Sequence, residues 1–427
     1  MSSDGVKSNE QAELPNGQQP PKGAMLTIFG VVLVDMLGFG LIIPLLPFYA
    51  TRFSASAVQV GLLFAVFSIC QFVAAPTLGA LSDRIGRRPV LLISQIGNAL
   101  GYALLAFTSE HQWGNLLLGL AMLYLARIIA GITAGNISAA SAYIADITTP
   151  KNRTKGMGML GAAFGFGFAL GPFLGGKLAH WFDPGVPAWV AAGLACISAT
   201  MCATLMKEAP RRASTTSANY LNPKQFAPLF ANKPLMKINA MWFIAMTAFV
   251  AVDAMIVLFL NRTMGYTEGD VANYLLLVGV VILITQGGVV GRLQKRYSEW
   301  ALCIAGLIIN GLGAILTAGV AWYPSVGLLC TSAVIAAFGR SLFQPTISAL
   351  ASHHSKEGEQ GMSLGFFQGV GTLGRIVGPS ISGPMYALHV TWPWFFSGAT
   401  LWLTGTWLTR LHWAEQRTST SAGNRQH

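Results

Sequence analysis

Apolar runs of about 18 residues or more recur from one end of the chain to the other, parted by short polar stretches. This pattern predicts twelve membrane-spanning helices, at 24–50, 57–81, 89–108, 115–144, 155–178, 186–206, 236–260, 270–291, 299–319, 324–351, 361–387 and 391–411. A transmembrane β-barrel would show segments of about ten alternating residues instead. The expected fold class is therefore an all-α integral membrane protein. Residues 1–22 are polar and read as a disordered tail; the apolar run that follows is too long for a signal peptide and continues through Pro44 and Pro47. The longest interior polar stretch, with Arg211, Arg212 and a Ser/Thr cluster at 214–217, divides six spans from six. The expected organisation is a tail at 1–22, a six-helix bundle at 23–206, a central loop at 207–235, a second six-helix bundle at 236–411 and a tail at 412–427. Within the central loop, Pro223 to Lys233 is expected to form a short helix at the membrane surface.

Composition narrows the function. Of 427 residues 53% are apolar and 10% charged, with a mean hydropathy of +0.54; a soluble domain carries about 25% charge. A water-soluble enzyme, a disordered chain and a disulfide-stapled module are all excluded. The net charge of +11 is explained by its placement. With both termini inside, twenty-one of the 27 Lys and Arg fall in the tails and cytoplasmic loops, and three (Arg52, Lys177 and Arg262) on the other side. That asymmetry predicts the orientation in a cell membrane and requires no nucleic acid. Cys70, Cys196, Cys202, Cys303 and Cys330 all lie in apolar runs without metal-ligand spacing and read as small packing residues.

The two halves resemble each other. Gly79-Ala-Leu-Ser-Asp-Arg-Ile-Gly-Arg-Arg88 aligns with Gly287-Gly-Val-Val-Gly-Arg-Leu-Gln-Lys-Arg296 at an offset of 208, and Gly171-Pro172 with Gly176 recurs as Gly378-Pro379 with Gly383 at an offset of 207. Duplicated six-helix units with a site near the midplane between them are a transporter architecture.

These same segments carry a resemblance. Gly79 to Pro89 is similar to the loop signature of the major facilitator superfamily, and Leu123-Tyr-Leu-Ala-Arg-Ile-Ile-Ala-Gly-Ile-Thr-Ala-Gly135 to its helix 4 motif. Gly165-Phe-Gly-Phe-Ala-Leu-Gly-Pro-Phe-Leu-Gly-Gly176 resembles the antiporter signature of helix 5, and Asp35-Met-Leu-Gly-Phe-Gly-Leu-Ile-Ile-Pro44 resembles helix 1 of the twelve-helix drug:proton antiporters. Within that group the chain resembles tetracycline efflux proteins and their relatives, through Ala142-Tyr-Ile-Ala-Asp-Ile-Thr148, Glu359-Gln-Gly361 and Gly374-Arg-Ile-Val-Gly-Pro379. The resemblance implies two pseudo-symmetric six-helix bundles and proton-coupled efflux of a drug-like or amphipathic molecule. It also implies a gating latch, in which Asp83 contacts the start of helix 11 and joins Arg84, Arg87, Arg88 and Asp146 in holding the outward-open state. One departure bears on the substrate: the tetracycline pumps carry an acid on helix 3 where this chain has Gly101.

Read on their own chemistry, few ionisable groups lie deep in the spans: Asp35, Arg127, Asp253, Arg340 and Arg375. Each costs ~2.5–3.5 kcal/mol on insertion scales and is expected to face a cavity or a partner. A carboxylate beside a mobile arginine makes a proton switch, so Asp35 is nominated as the proton site with Arg127 as its modulator; the alternative is a permanent structural pair. Asp253 is either a second proton site or a passive vestibule residue. Arg340 and Arg375 make the second half basic, suiting an anionic or zwitterionic group, unless they bond carbonyls freed beside Pro345 and Pro379. Asn136, Gln344, Gln368 and Arg375 are the candidate substrate contacts, with Gln71 and Gln286 as further isolated polar residues. Gly171, Pro172, Gly378 and Pro379 are expected hinges on helices 5 and 11. There is no Walker-type loop, His/Cys metal cluster or catalytic Ser–His constellation, so no enzyme and no cofactor is expected beyond the proton gradient. The expected partners are a small molecule, protons and the bilayer, with the chain working as a monomer. A proton-linked symporter or facilitator for a nutrient is the alternative.

Overall fold

The computed structural model describes residues 23–111, 113–148, 150–208, 230, 232–355 and 360–423. The expected tail at 1–22 and nearly all of the expected surface helix at 223–233 lie outside them. Among these residues twelve helical rods follow in order: α1 Ala24–Arg52, α2 Ala57–Ile85, α3 Arg87–Glu110, α4 Leu116–Ile147, α5 Pro150–Trp181, α6 Val186–Thr204, α7 Lys233–Met264, α8 Glu268–Gln294, α9 Glu299–Gly319, α10 Val326–His353, α11 Gln360–Leu388 and α12 Trp392–Gly423. Ten of them, α1 to α10, are long and apolar enough to cross a membrane by length and composition. No strand occurs among the described residues. The last rod runs twelve residues past the predicted end of the twelfth span, through most of the expected tail.

Three rods are not continuous α-helix. In α1, Pro44 and Pro47 withdraw two backbone donors, and the helix passes through a 3-10 turn at Ile43–Leu45. In α4 the helix stops at Ile132 and restarts at Asn136, an interruption that the apolar run alone does not reveal. In α8, residues Thr285–Val289 form a π-helix around Gly287 and Gly288.

Helix packing repeats between the halves. α5 lies on α1 so closely that a Cβ at Gly171 would come 2.7 Å from Gly40 Cα. α11 lies on α7 in the same manner, and a Cβ at Gly378 would come 2.6 Å from the Thr247 carbonyl. Gly40 and Thr247 are separated by the same 207 residues as Gly171 and Gly378. The duplicated Gly-Pro pairs thus do one job in both halves: they seat a helix on its partner at backbone distance, as small residues allow in lipid.

The contacts between halves are also paired. α11 meets α2, with Gly61 against the Pro379 carbonyl and a Cβ at Gly383 placed 2.8 Å from the Ala57 carbonyl. α5 meets α8, where a Cβ at Gly176 would lie 2.6 Å from the Glu268 carbonyl. All three glycines sit towards the end that carries the α1–α2, α5–α6 and α7–α8 loops. There one hydrophobic cluster draws on both halves, including Leu46, Tyr49 and Ala191 from the first and Met255, Phe259 and Trp394 from the second. At the opposite end the core is two separate clusters. One is built from the second half around Trp242, Phe343 and Phe367, the other from the first half around Ile28, Val90 and Tyr143. Among the described residues the hydrophobic core therefore bridges the halves at one end only.

Gly171→Leu or Gly378→Leu forces a side chain into backbone and is expected to cost about 1–3 kcal/mol. Thermal unfolding of the detergent-solubilised protein should show a lower Tm for both. Gly161→Ala, at a position with nothing within 4 Å, should leave it unchanged or higher.

Candidate functional site

The five deep ionisable residues all fall in the middle third of their rods. Asp35 on α1 is buried and points into the first half. Its carboxylate accepts from Asn98 Nδ2 on α3 at 3.0 Å and from Asn136 Nδ2 on α4. Asn136 is the first residue after the break in α4, so the interruption delivers both its amide and a helix N-terminus to the carboxylate. The break is also where α3 presses in, with Gly97 against Thr133. Gln95 is buried on the same side, facing the Asp35 carboxylate. Ser94 Oγ is likewise buried and unpaired.

The structure does not pair Asp35 with Arg127. The Arg127 guanidinium stacks 4.3 Å from the centroid of the Phe67 ring, and its Nε has no partner. Tyr102 lies within electrostatic reach of both charges. The carboxylate is thus solvated by neutral carboxamides, a ring that residue type and spacing do not announce. Of its members only Asn136 is among the candidates read from sequence; its isolation inside an apolar span is the signal. Gly101 sits 3.2 Å, measured from an ideal Cβ, from the Ala126 carbonyl beside Arg127. Gly101 thereby serves close packing of α3 on α4.

In the second half, Arg340 on α10 donates to Asp253 on α7 at 2.7 Å, with its guanidinium over Phe249. The Asp253 side chain is 49% exposed and that of Arg340 27%. A half-exposed ion pair at mid-helix borders open space inside the bundle, since facing hydrocarbon would be prohibitively costly. Gln344 follows Arg340 by one turn and is exposed. Arg375 on α11 donates to Thr372 Oγ1 at 2.6 Å. Neither arginine bonds a carbonyl freed by Pro345 or Pro379 among the described residues. Gln368, two turns before Arg375, is exposed on the same helix face. Gln286 is exposed in the π-helical stretch of α8, and Gln71 is partly exposed on α2.

The loop signature folds into a charge cluster at the end where the halves have separate cores. Arg87 Nη1 lies 2.6 Å from Asp83 Oδ1, and its Nε donates to Asp146 on α4 at 3.0 Å. Arg87 also donates to Ser82 Oγ. Arg88 donates to the carbonyls of Cys202 and Ala203 at the end of α6. Arg84 is exposed. Among the described residues the partners in this cluster, Asp83, Ser82 and Asp146 for Arg87 and the α6 carbonyls for Arg88, all belong to the first half. Gly86, at φ 107°, turns the chain into α3. Glu208, just past α6, supplies the cap: its carboxylate accepts from the backbone N–H of Arg87 at 2.7 Å and of Arg88 at 3.2 Å. Tyr143 on α4 donates to the Lys207 carbonyl next to it. Glu208 has no sequence signal, because a lone acid after a span looks like any loop charge.

Among the described residues no group of three or more His, Cys, Asp or Glu is placed to hold a metal. Apolar rods, intramembrane charges and paired halves around a half-exposed midplane pair define a membrane transporter. Residues 28–379 and 289–424 match the Major Facilitator Superfamily. The chain belongs to that superfamily and is a transporter, not an enzyme. It is 31% identical to the class C tetracycline resistance protein of Escherichia coli over 89% of this chain and 94% of that one. It is 28% identical to multidrug resistance protein 2 of Bacillus subtilis over 94% and 98% of the two chains. Among solved structures, the human organic anion transporter MFSD10 superposes with a TM-score of 0.67 at 23% identity, covering 91% of this chain and all of that one; that likeness concerns the fold.

Removing the cap of α3 with Glu208→Ala leaves two first-turn N–H groups without their acceptor and should cost about 1 kcal/mol. A lowered Tm, with the protein still inserted and monodisperse, is the expected result. An unchanged Tm would show that solvent replaces the carboxylate at no loss.

Proposed function

We propose that this chain is a proton-driven exporter of drug-like or amphipathic small molecules in the cell membrane. The observation that carries the reading is Asp35: a carboxylate sunk in the first half, held by the amides of Asn98 and Asn136 at a helix break and not bonded to a cation. A buried charge balanced only by dipoles is costly, and taking up a proton removes that cost. Carboxamides serve either state, donating to the carboxylate or accepting from the acid through their oxygen. The pump cycle then follows. Substrate binds while Asp35 is ionised and the site faces inward; the halves rock; a proton entering from outside neutralises Asp35 and returns the empty carrier. The tetracycline and multidrug resistance proteins among its relatives support efflux as the direction.

The Lys and Arg asymmetry supports placing both termini, and the end with the Asp83–Arg87–Asp146 cluster, in the cytoplasm. On that orientation the two-half hydrophobic cluster closes the outside, and the state described is open inward. Asp83, 41% exposed and bonded within its own half, is then a released latch, free to meet α11 when the inner ends close. Gly171-Pro172 and Gly378-Pro379 supply the bendable seats. Gln344, Gln368 and Asn136 are the polar contacts, and Asp253 with Arg340 borders the cavity. A single copy holds all of these groups, so the monomer is the working unit.

In proteoliposomes with an imposed pH gradient, the wild-type chain should drive an amphipathic dye against its concentration gradient. Asp35→Asn should lose that accumulation while still allowing downhill exchange; full accumulation in the variant would remove Asp35 from the coupling. Asp83→Lys should stop net transport with membrane insertion intact, and unaltered flux would speak against the latch.

A further inference from the structure

We infer that Arg375 is the anchor for an acidic group on the transported molecule, so that the substrate class is amphipathic anions, the carboxylate-bearing ones first. The inference rests on the transporter reading above and adds the chemistry of the cargo.

Arg375 stands apart from the other arginines near the midplane. Arg340 is neutralised by Asp253 at 2.7 Å. Arg127 is fully enclosed against Phe67, out of reach of any solute. Arg375 makes one polar contact, to the Thr372 hydroxyl, and no carboxylate lies against it among the described residues. It is nevertheless partly exposed. Its position on α11 shows where it sits. Gly371, Gly374 and Gly378 bring one side of the helix onto α7, and Pro379 and Gly383 bring another side onto α2. At roughly 100° per residue, Arg375 falls between these two contact faces, in the seam where the halves meet. Gln368 lies on the same line two turns earlier.

A desolvated cation kept in the middle of a membrane bundle needs a compensating charge. A purely structural arginine would take an acid, as Arg340 does, the free carbonyls beside a proline, or an aromatic face, as Arg127 does, and among the described residues Arg375 takes none of these. The guanidinium keeps four of its five N–H donors and a planar fork that suits a carboxylate bidentately. The complement must therefore arrive with the substrate. The apolar body has partners at the same depth in the first half, where Phe39, Phe67 and Phe168 cluster with ring centroids 5.9 Å apart, Phe168 being exposed.

The test is equilibrium binding to the full-length protein in lipid nanodiscs. The probes share one fluorophore and differ in charge: dansylglycine, its methyl ester and dansylcadaverine. The wild-type chain should bind the carboxylate at least about tenfold more tightly than the ester or the amine, a difference of ~1.4 kcal/mol. Arg375→Gln should erase that preference by weakening the carboxylate alone, and Arg375→Lys should restore part of it. Equal binding of carboxylate and ester by the wild-type chain would overturn the proposal. So would loss of all three probes in a correctly inserted Arg375→Gln protein, which would make the residue structural. Binding is read without a gradient, so the carboxylate preference is measured independently of proton-driven transport. The cargo reading and the coupling reading therefore stand or fall separately.

Discussion

Close backbone approach between the first and fifth helix of each half is the constraint from which the remaining architecture follows. Lipid tails are as apolar as leucine, so helices in a bilayer gain little by hiding hydrophobic side chains from one another. Here the gain comes from contact area at short range. Gly171 on Gly40 and Gly378 at the Thr247 carbonyl bring whole helix surfaces together. That contact orients α1 and α7, and with them Asp35 and Asp253. The reverse sides of α5 and α11 then meet α8 and α2 across the halves, through Gly176 and Gly383. One pair of helices in each half thus joins inner packing to the interface between the halves.

The charges sort by half. The first half holds a carboxylate surrounded by amide dipoles and an arginine resting on an aromatic face. The second holds a closed ion pair and an arginine without an acid. The two kinds of group answer different ligands: a lone carboxylate responds to protons, and a lone guanidinium to anions. Dividing them between the two halves keeps the carboxylate and the guanidinium from pairing with each other. The seal made by Tyr49, Phe259, Trp394 and their neighbours decides which end the site can reach.

Much of the fold was legible in the residues, and the reasons are physical. Spans begin and end where hydrocarbon must give way to water, so hydropathy marks the first eleven helices to within about five residues, while the last runs on past its apolar run. The repeat at 207–208 residues shows because the same backbone contacts are needed twice. The identities of the deep ionisable residues were equally plain, since charge in lipid is rare. Their partners were not. Asp35 and Arg127 look like a natural pair on the page, but the break at Thr133–Gly135 turns Asn136 towards Asp35 instead. Asp253 and Arg340 are 87 residues apart in sequence and meet only through the packing of α7 against α10. Glu208 reaches the start of α3 across 121 residues. Which opposite charges touch depends on helix rotation, and a linear pattern does not encode that.

The π-helical stretch at Thr285–Val289 bears on how the two copies of the loop signature have parted. A wider turn inserts one residue into the helical count and rotates all that follows by roughly 100°. The second copy, from Gly287 to Arg296, therefore leaves the membrane out of phase with the first, which runs through unbroken α-helix from Gly79 to Ile85. Its basic residues Arg292, Lys295 and Arg296 inherit the letters of Arg84, Arg87 and Arg88 but a different compass bearing. Ancestral symmetry in the sequence has become a division of labour in space, with one copy built into the charge cluster and the other released from it.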